Sequence, residues 1–223
     1  MALEVEINPL NRMLSEVVDS LAKYEGVKGG GKRIEDPSKI KAPYGADNPP
    51  VPRLDNEQDR DYAKRIAGYF HNNLINKFGE SYIKAPISVQ KALVDFQYNT
   101  GGFAGTERTP SLNRALKNND YSTVMKNTLD VISAYDSKKG SDGVLLGIAK
   151  RRAIEYNNTA DDLGIPKLNL VKLETTPQGT ARIIYKNKDN VDVLNYSFSN
   201  KGVHSQSSTG SFSPIEESLK LMQ

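Results

Sequence analysis

Residues 8–26, NPLNRMLSEVVDSLAKYEG, constrain the fold more than any other stretch. Leu10, Met13, Leu14, Val17, Val18 and Leu21 recur at helical spacing and form one apolar stripe that needs a partner surface. Asn8 suits a cap and Pro9 the first helical position. Gly26 can take the left-handed conformation that ends a helix. Glu25 is then the last helical residue, four after Leu21, and it continues the stripe. A carboxyl there is partly desolvated and sits at the negative end of the helix dipole, so its charged form is disfavoured. That is the profile of a general acid. A surface glutamate turned to solvent would have the same spacing, and this helix alone favours that reading; the rest of the chain has to shift the balance.

The chain has 223 residues, enough for one good domain and something smaller. With 37% hydrophobic and 26% charged residues it reads as a soluble globular protein. No apolar run is long enough to cross a bilayer, which argues against membrane insertion. A net charge of +3 suits an anionic polymer but does not argue for nucleic acid. The absence of cysteine excludes disulfides and thiolate metal sites. No basic segment followed by an apolar one opens the chain, so no secretory signal peptide is expected.

The glycines, prolines and alternating charges of residues 27–48 predict short strands and turns, a small β lobe carrying Lys28, Lys32, Arg33, Lys39 and Lys41. Residues 48–53 read as a proline-rich connector. A helix then starts with Asp55 as cap and runs to about Phe78 through Tyr62, Ile66, Phe70 and Leu74. His71 on this helix has no second ligand at metal spacing and reads as a packing or surface histidine. Ala85-Pro86 opens a helix apolar on most sides, the expected centre of a helical lobe. Shorter helices follow, one capped by Thr109 and ending at Leu116, one capped by Asp120. Another begins near Val144 and ends near Asn157-Asn158. Residues 160–166 read as a linker. Beyond it the period shifts towards two, predicting three strands around Leu168-Leu170, residues 181–185 and residues 191–198. Residues 205–213 look loose, and residues 214–222 form one short amphipathic helix.

Most catalytic classes are absent from this sequence. It has no phosphate loop, no GxSxG elbow and only two histidines, His71 and His204, far apart. Carboxylate chemistry remains. Glu25 is followed across a glycine-rich stretch by Glu35 and Asp36. Two carboxyls facing a cleft are the minimal equipment for glycoside hydrolysis: one neutral to protonate the leaving oxygen, one ionised to activate water.

Several ordered motifs carry a resemblance. They are Leu21-Ala22-Lys23-Tyr24-Glu25-Gly26, Tyr44-Gly45, the run QKALVDFQYNTG over residues 90–101, SLNRAL over residues 111–116, Asn119-Asp120-Tyr121, and GIAKRRAIE over residues 147–155. Together, over about residues 10–158, the set resembles the phage-type lysozymes, the muramidases of tailed bacteriophages. The chain from Lys167 on lies outside it. The resemblance implies Glu25 as general acid and Asp36, with Glu35 one residue out of register, as the second carboxylate. It implies sugar contacts at Phe96, Ser111 and Asn127, no metal and no cofactor. Arg151-Arg152 would brace the helical lobe against carboxylates. Where the family usually has a water-holding threonine, four residues before the turn glycine, this chain has Lys41 followed by Ala42.

The expected fold is α+β and mostly helical: a lysozyme-like domain over residues 1–163, with a small β lobe and a larger helical lobe, and a β-rich module over residues 164–223. The expected activity is cleavage of the β-1,4 bond between N-acetylmuramic acid and N-acetylglucosamine in peptidoglycan. A wall-binding or structural part of a phage particle is the alternative. The C-terminal module would attach to the wall or to a phage tail or other virion protein. Synthesis in a host cytoplasm, followed by action on the wall after release or from a virion, fits the missing signal peptide.

Overall fold

The computed structural model describes residues 8–24, 49–102, 104–107, 109–129, 142–175, 181–198 and 204–207. They are mostly helical, with one small antiparallel sheet, an α+β composition. The chain divides into two compact units, Met1–Thr128 and Leu129–Gln223. The division expected after residue 163 falls inside the second unit, because the helix before it packs on the sheet that follows it. No described helix is long and apolar enough to cross a membrane.

The first unit is helical among its described residues. Helix α1, Pro9–Tyr24, starts as its sequence requires: the Leu10 backbone N–H donates to Asn8 Oδ1 at 2.9 Å. Met13, Leu14, Val17, Val18 and Leu21 are all buried, while Leu10 at the start of the stripe stays exposed. Complete burial is worth roughly 1.5–3 kcal/mol for each such side chain. This face packs on α2, Asp59–Phe78, and α4, Ile87–Thr100. Tyr62, Ile66, Phe70 and Leu74 of α2 are buried as their spacing predicts.

Helix α2 begins four residues later than its expected cap. Residues 54–57 form a turn in which the Glu57 N–H donates to Leu54 O at 3.2 Å and Glu57 Oε2 accepts the Leu54 N–H at 3.0 Å. Gln58, not Asp55, stands at the N-cap, and its side chain makes no capping bond. A one-turn helix, α3, Glu80–Ile83, was not evident in the sequence; its Tyr82 fills the core. Helix α4 is buried on most of its circumference, as expected, and ends on Gly101 in the left-handed conformation at φ 67°. Helices α5, Pro110–Lys117, and α6, Tyr121–Thr128, pack on one another. Asp120 caps α6 through the Thr123 N–H at 3.0 Å.

In the second unit, helix α7, Asp142–Leu163, packs on strands β1, Leu168–Thr175, and β2, Ala181–Asn187. Strands β3, Asp192–Phe198, and β4, His204–Ser207, complete an antiparallel sheet in the order β1-β2-β3-β4. Two expectations change here. Helix α7 continues past Asn157-Asn158 to Leu163 and stops at Gly164, φ 62°, where Ile165 N–H returns to Ala160 O at 3.0 Å. Part of the expected loose stretch forms β4, which pairs with β3 from Asn195↔Ser207 to Phe198↔His204. Asn157 ties helix to sheet: its Nδ2 donates to Leu168 O and its Oδ1 accepts the Leu168 N–H, both at 2.7 Å. Ile183, Tyr185 and Leu194 are buried on the sheet. The expected β lobe over residues 27–48 and the expected helix over residues 214–222 lie outside the described residues.

Candidate functional site

Glu25, Glu35 and Asp36 lie outside the described residues, as do Lys41 and the Tyr44-Gly45 turn. The described residues that flank that stretch in sequence are helix α1 and the connector from residue 49 on. Helix α1 ends at Tyr24, the residue before Glu25 in sequence. It is held laterally by ion pairs. Glu16 accepts from Lys91 of α4 at 2.7 Å and from Arg12 at 3.1 Å, and these partners, Lys91 foremost, hold its carboxyl below the usual range. Asp19 pairs with Arg60 in the first turn of α2.

The three expected sugar contacts come from three helices of the first unit. Phe96 on α4 is only 4% exposed, so its ring belongs to the core. Ser111 is exposed in the first turn of α5. Asn127, in the last turn of α6, is half-buried, and its Nδ2 donates to Thr123 O at 2.8 Å within its own helix. A three-residue turn joins α5 to α6, so Ser111 and Asn127 stand at the ends away from that turn.

The approach to Ser111 is fixed by two amides, buried Gln97 and half-buried Asn113. Gln97, fully buried on α4, grips Ala104: its Oε1 accepts the Ala104 N–H at 3.0 Å and its Nε2 donates to Ala104 O at 3.3 Å. Asn113 on α5 donates to Thr106 O and accepts the Gly105 N–H, both at 2.7 Å. Thr109 makes no capping bond to α5; its hydroxyl donates to Asn113 Oδ1 at 3.2 Å. The signal for Asn113 was its place one turn into a helix opened by Thr-Pro, from which an amide reaches back to the incoming loop. Beside Phe96, Asp95 is also buried, and Asn99 Nδ2 donates to both its backbone oxygen at 2.7 Å and its Oδ1 at 2.5 Å.

His71 has the packing role its sequence suggested. It is buried on α2, with Nδ1 2.8 Å from the Tyr82 hydroxyl. Burial pushes its pKa below the ordinary histidine value, and burial pushes the Tyr82 phenol far up. At neutral pH the imidazole is therefore uncharged, and it shares one hydrogen bond with the Tyr82 hydroxyl whose direction follows the ring's tautomer.

In the second unit, Arg151 and Arg152 both bind Glu155, Arg151 Nε at 3.2 Å and one Arg152 guanidinium nitrogen at 2.5 Å. All three belong to α7, so this bracing contact is one turn of a single helix. Compared with known proteins, the chain matches no family model, no characterised relative and no solved structure.

Proposed function

We propose that this chain is a peptidoglycan hydrolase of lysozyme-like fold. It cleaves the β-1,4 bond between N-acetylmuramic acid and N-acetylglucosamine by carboxylate chemistry. Glu25 donates its proton to the leaving oxygen, and Asp36 assists a water attacking the opposite face of the sugar. The observation that supports this reading is α1: a helix with its stripe buried on α2 and α4, running to the residue before Glu25. The phage-type lysozymes resemble the inverting class, so the two carboxyls are expected roughly 6.5–9.5 Å apart, enough to admit one water. Ser111 is the most accessible of the proposed sugar contacts. Asp36→Asn tested beside Glu35→Gln on purified peptidoglycan settles the register: loss of turbidity clearing in Asp36→Asn alone supports Asp36, and equal clearing in both refutes the second-carboxylate assignment.

The second reading is a lysozyme-like component of a phage particle that binds the wall without cutting it. Lys41 in place of the water-holding threonine favours it. A protein that sediments with peptidoglycan but leaves a zymogram uncleared would establish that reading. In either case the region after residue 163 would serve attachment, to the wall or to a virion protein.

A further inference from the structure

The two edges of the sheet in the second unit are built differently. Strand β4, His204–Ser207, is short and polar, which suits an edge that stays unpaired. Strand β1 at the other edge, Leu168–Thr175, reads LNLVKLET: eight residues, four of them apolar, with no proline. Asn157 closes the start of this edge by taking both the N–H and the C=O of Leu168. Among the described residues, no hydrogen bond beyond the β1–β2 ladder takes up the backbone of residues 170–175. A row of open N–H and C=O groups is a template for another strand.

The side chains of β1 match that opening. Val171 pairs with Tyr185 and Leu173 with Ile183, so they share a face with two fully buried residues. Val171 and Leu173 are themselves only half-buried, and Leu170 is exposed. On the opposite face Lys172 and Glu174 are exposed and pair with each other at 2.8 Å. An antiparallel copy of β1 fits this pattern in one register. Residues opposite one another must share a face, so a two-fold axis has to fall on a residue. With the axis at Leu173, Lys172 of each copy lies opposite Glu174 of the other, Val171 lies opposite Thr175, and the two Leu173 side chains meet. With the axis at Lys172 or at Glu174, like charges meet instead. With the axis at Val171, the pairing runs into Leu168, whose backbone Asn157 already holds.

We propose that β1 is a self-association edge: a second copy of this chain adds its own β1 antiparallel, in the register centred on Leu173, and joins the two sheets into one. Main-chain hydrogen bonds supply the affinity, and the alternation of Lys172 and Glu174 supplies the register. The paired stretch, residues 171–175, is short, and a strand contact of that length buries less surface than a permanent dimer does. Association is therefore weak and concentration-dependent. It is independent of the carboxylate mechanism.

The test is sedimentation velocity on the full chain, which should pass from monomer to dimer between about 1 and about 300 μM. Lys172→Glu and Glu174→Lys change exposed side chains, so the circular dichroism of both should match the parent's. Each alone sets like charges opposite one another twice across the axis, and should weaken dimerisation by about tenfold or more. An equimolar mixture of the two should recover a heterodimer, because an acidic strand then faces a basic one. The double variant Lys172→Glu/Glu174→Lys should dimerise as the parent does. In hydrogen exchange, the amides of residues 170–175 that β2 does not bind should be protected in the dimer and exchange freely in the monomer. A parent that stays monomeric at about 300 μM overturns the proposal. Slow exchange of those amides would then assign the edge to another segment of this chain, and fast exchange would leave it to a strand of a different protein. Single variants that dimerise as tightly as the parent, or a mixture that stays monomeric, overturn the register and the self-recognition built on it.

Discussion

Tyr156→Phe should stabilise the second unit, and Tyr185→Phe should destabilise it, although both remove one buried hydroxyl. Both side chains are fully buried. The Tyr156 hydroxyl has no hydrogen-bond partner among the described residues, and burial pushes its pKa up to about 12. A buried donor left unpaired costs about 1–3 kcal/mol of desolvation. Removing the oxygen relieves that penalty and loses only a few dispersion contacts, for a net gain of about 1 kcal/mol. Tyr185 differs, since its hydroxyl donates to Leu129 O at 2.9 Å. Phenylalanine there forfeits the bond and leaves the carbonyl short of a donor, a cost of about 1–2 kcal/mol. For a chain of this size about 1 kcal/mol moves Tm by about 2–4 °C. Urea unfolding of parent and variants, followed by far-ultraviolet circular dichroism, gives both signs, provided the slope with urea is unchanged. A fall in the midpoint for Tyr156→Phe would mean that its hydroxyl is paired, and the reasoning would fail.

Leu21→Ala removes a fully buried side chain from α1 and should cost about 2–5 kcal/mol. Leu10→Ala, at the exposed start of the same stripe, should stay within about 0.5 kcal/mol, and the two midpoints in urea compare directly. His71 makes stability depend on pH. Its folded pKa lies below the unfolded value of about 6.5, so below that pH the unfolded chain binds more protons. The contribution of neutral His71 is whole above about pH 6.5 and is lost as pH falls towards the folded pKa. His71→Gln, which does not titrate, should flatten the midpoint against pH between about 5 and 7; an unchanged slope would remove His71 as its source.

Local rules made α1 legible. Its cap, first-turn proline and stripe all lie within one helix, and each behaves in the structure as its chemistry requires, except Leu10, which stays exposed at the start of the stripe. Where distant partners decide, the sequence misled. Asp55 has the makings of a cap, but Arg65 holds the Glu57 carboxylate and the Pro52 carbonyl, residues 54–57 form a turn, and the helix starts after it. Asn157 and Asn158 look like a helix stop. Asn157 instead spends its amide on the Leu168 backbone, the Thr159 hydroxyl bonds back to Tyr156 O at 2.7 Å, and the helix runs on to Gly164. Strand β4, HSQS, has no apolar alternation to announce it; its pairing with β3 makes it a strand. The candidate sugar contacts were named by motif alone, and the exposure that separates Ser111 from the core residue Phe96 is a tertiary property.

Glu25→Gln bears on the central claim most directly. The substitution keeps shape and removes the transferable proton, so circular dichroism and Tm should match the parent. Clearing of a peptidoglycan suspension should fall by about 10²–10⁴-fold, the usual worth of a positioned general acid. A Glu25→Gln protein that clears the suspension at the parent rate would contradict the account.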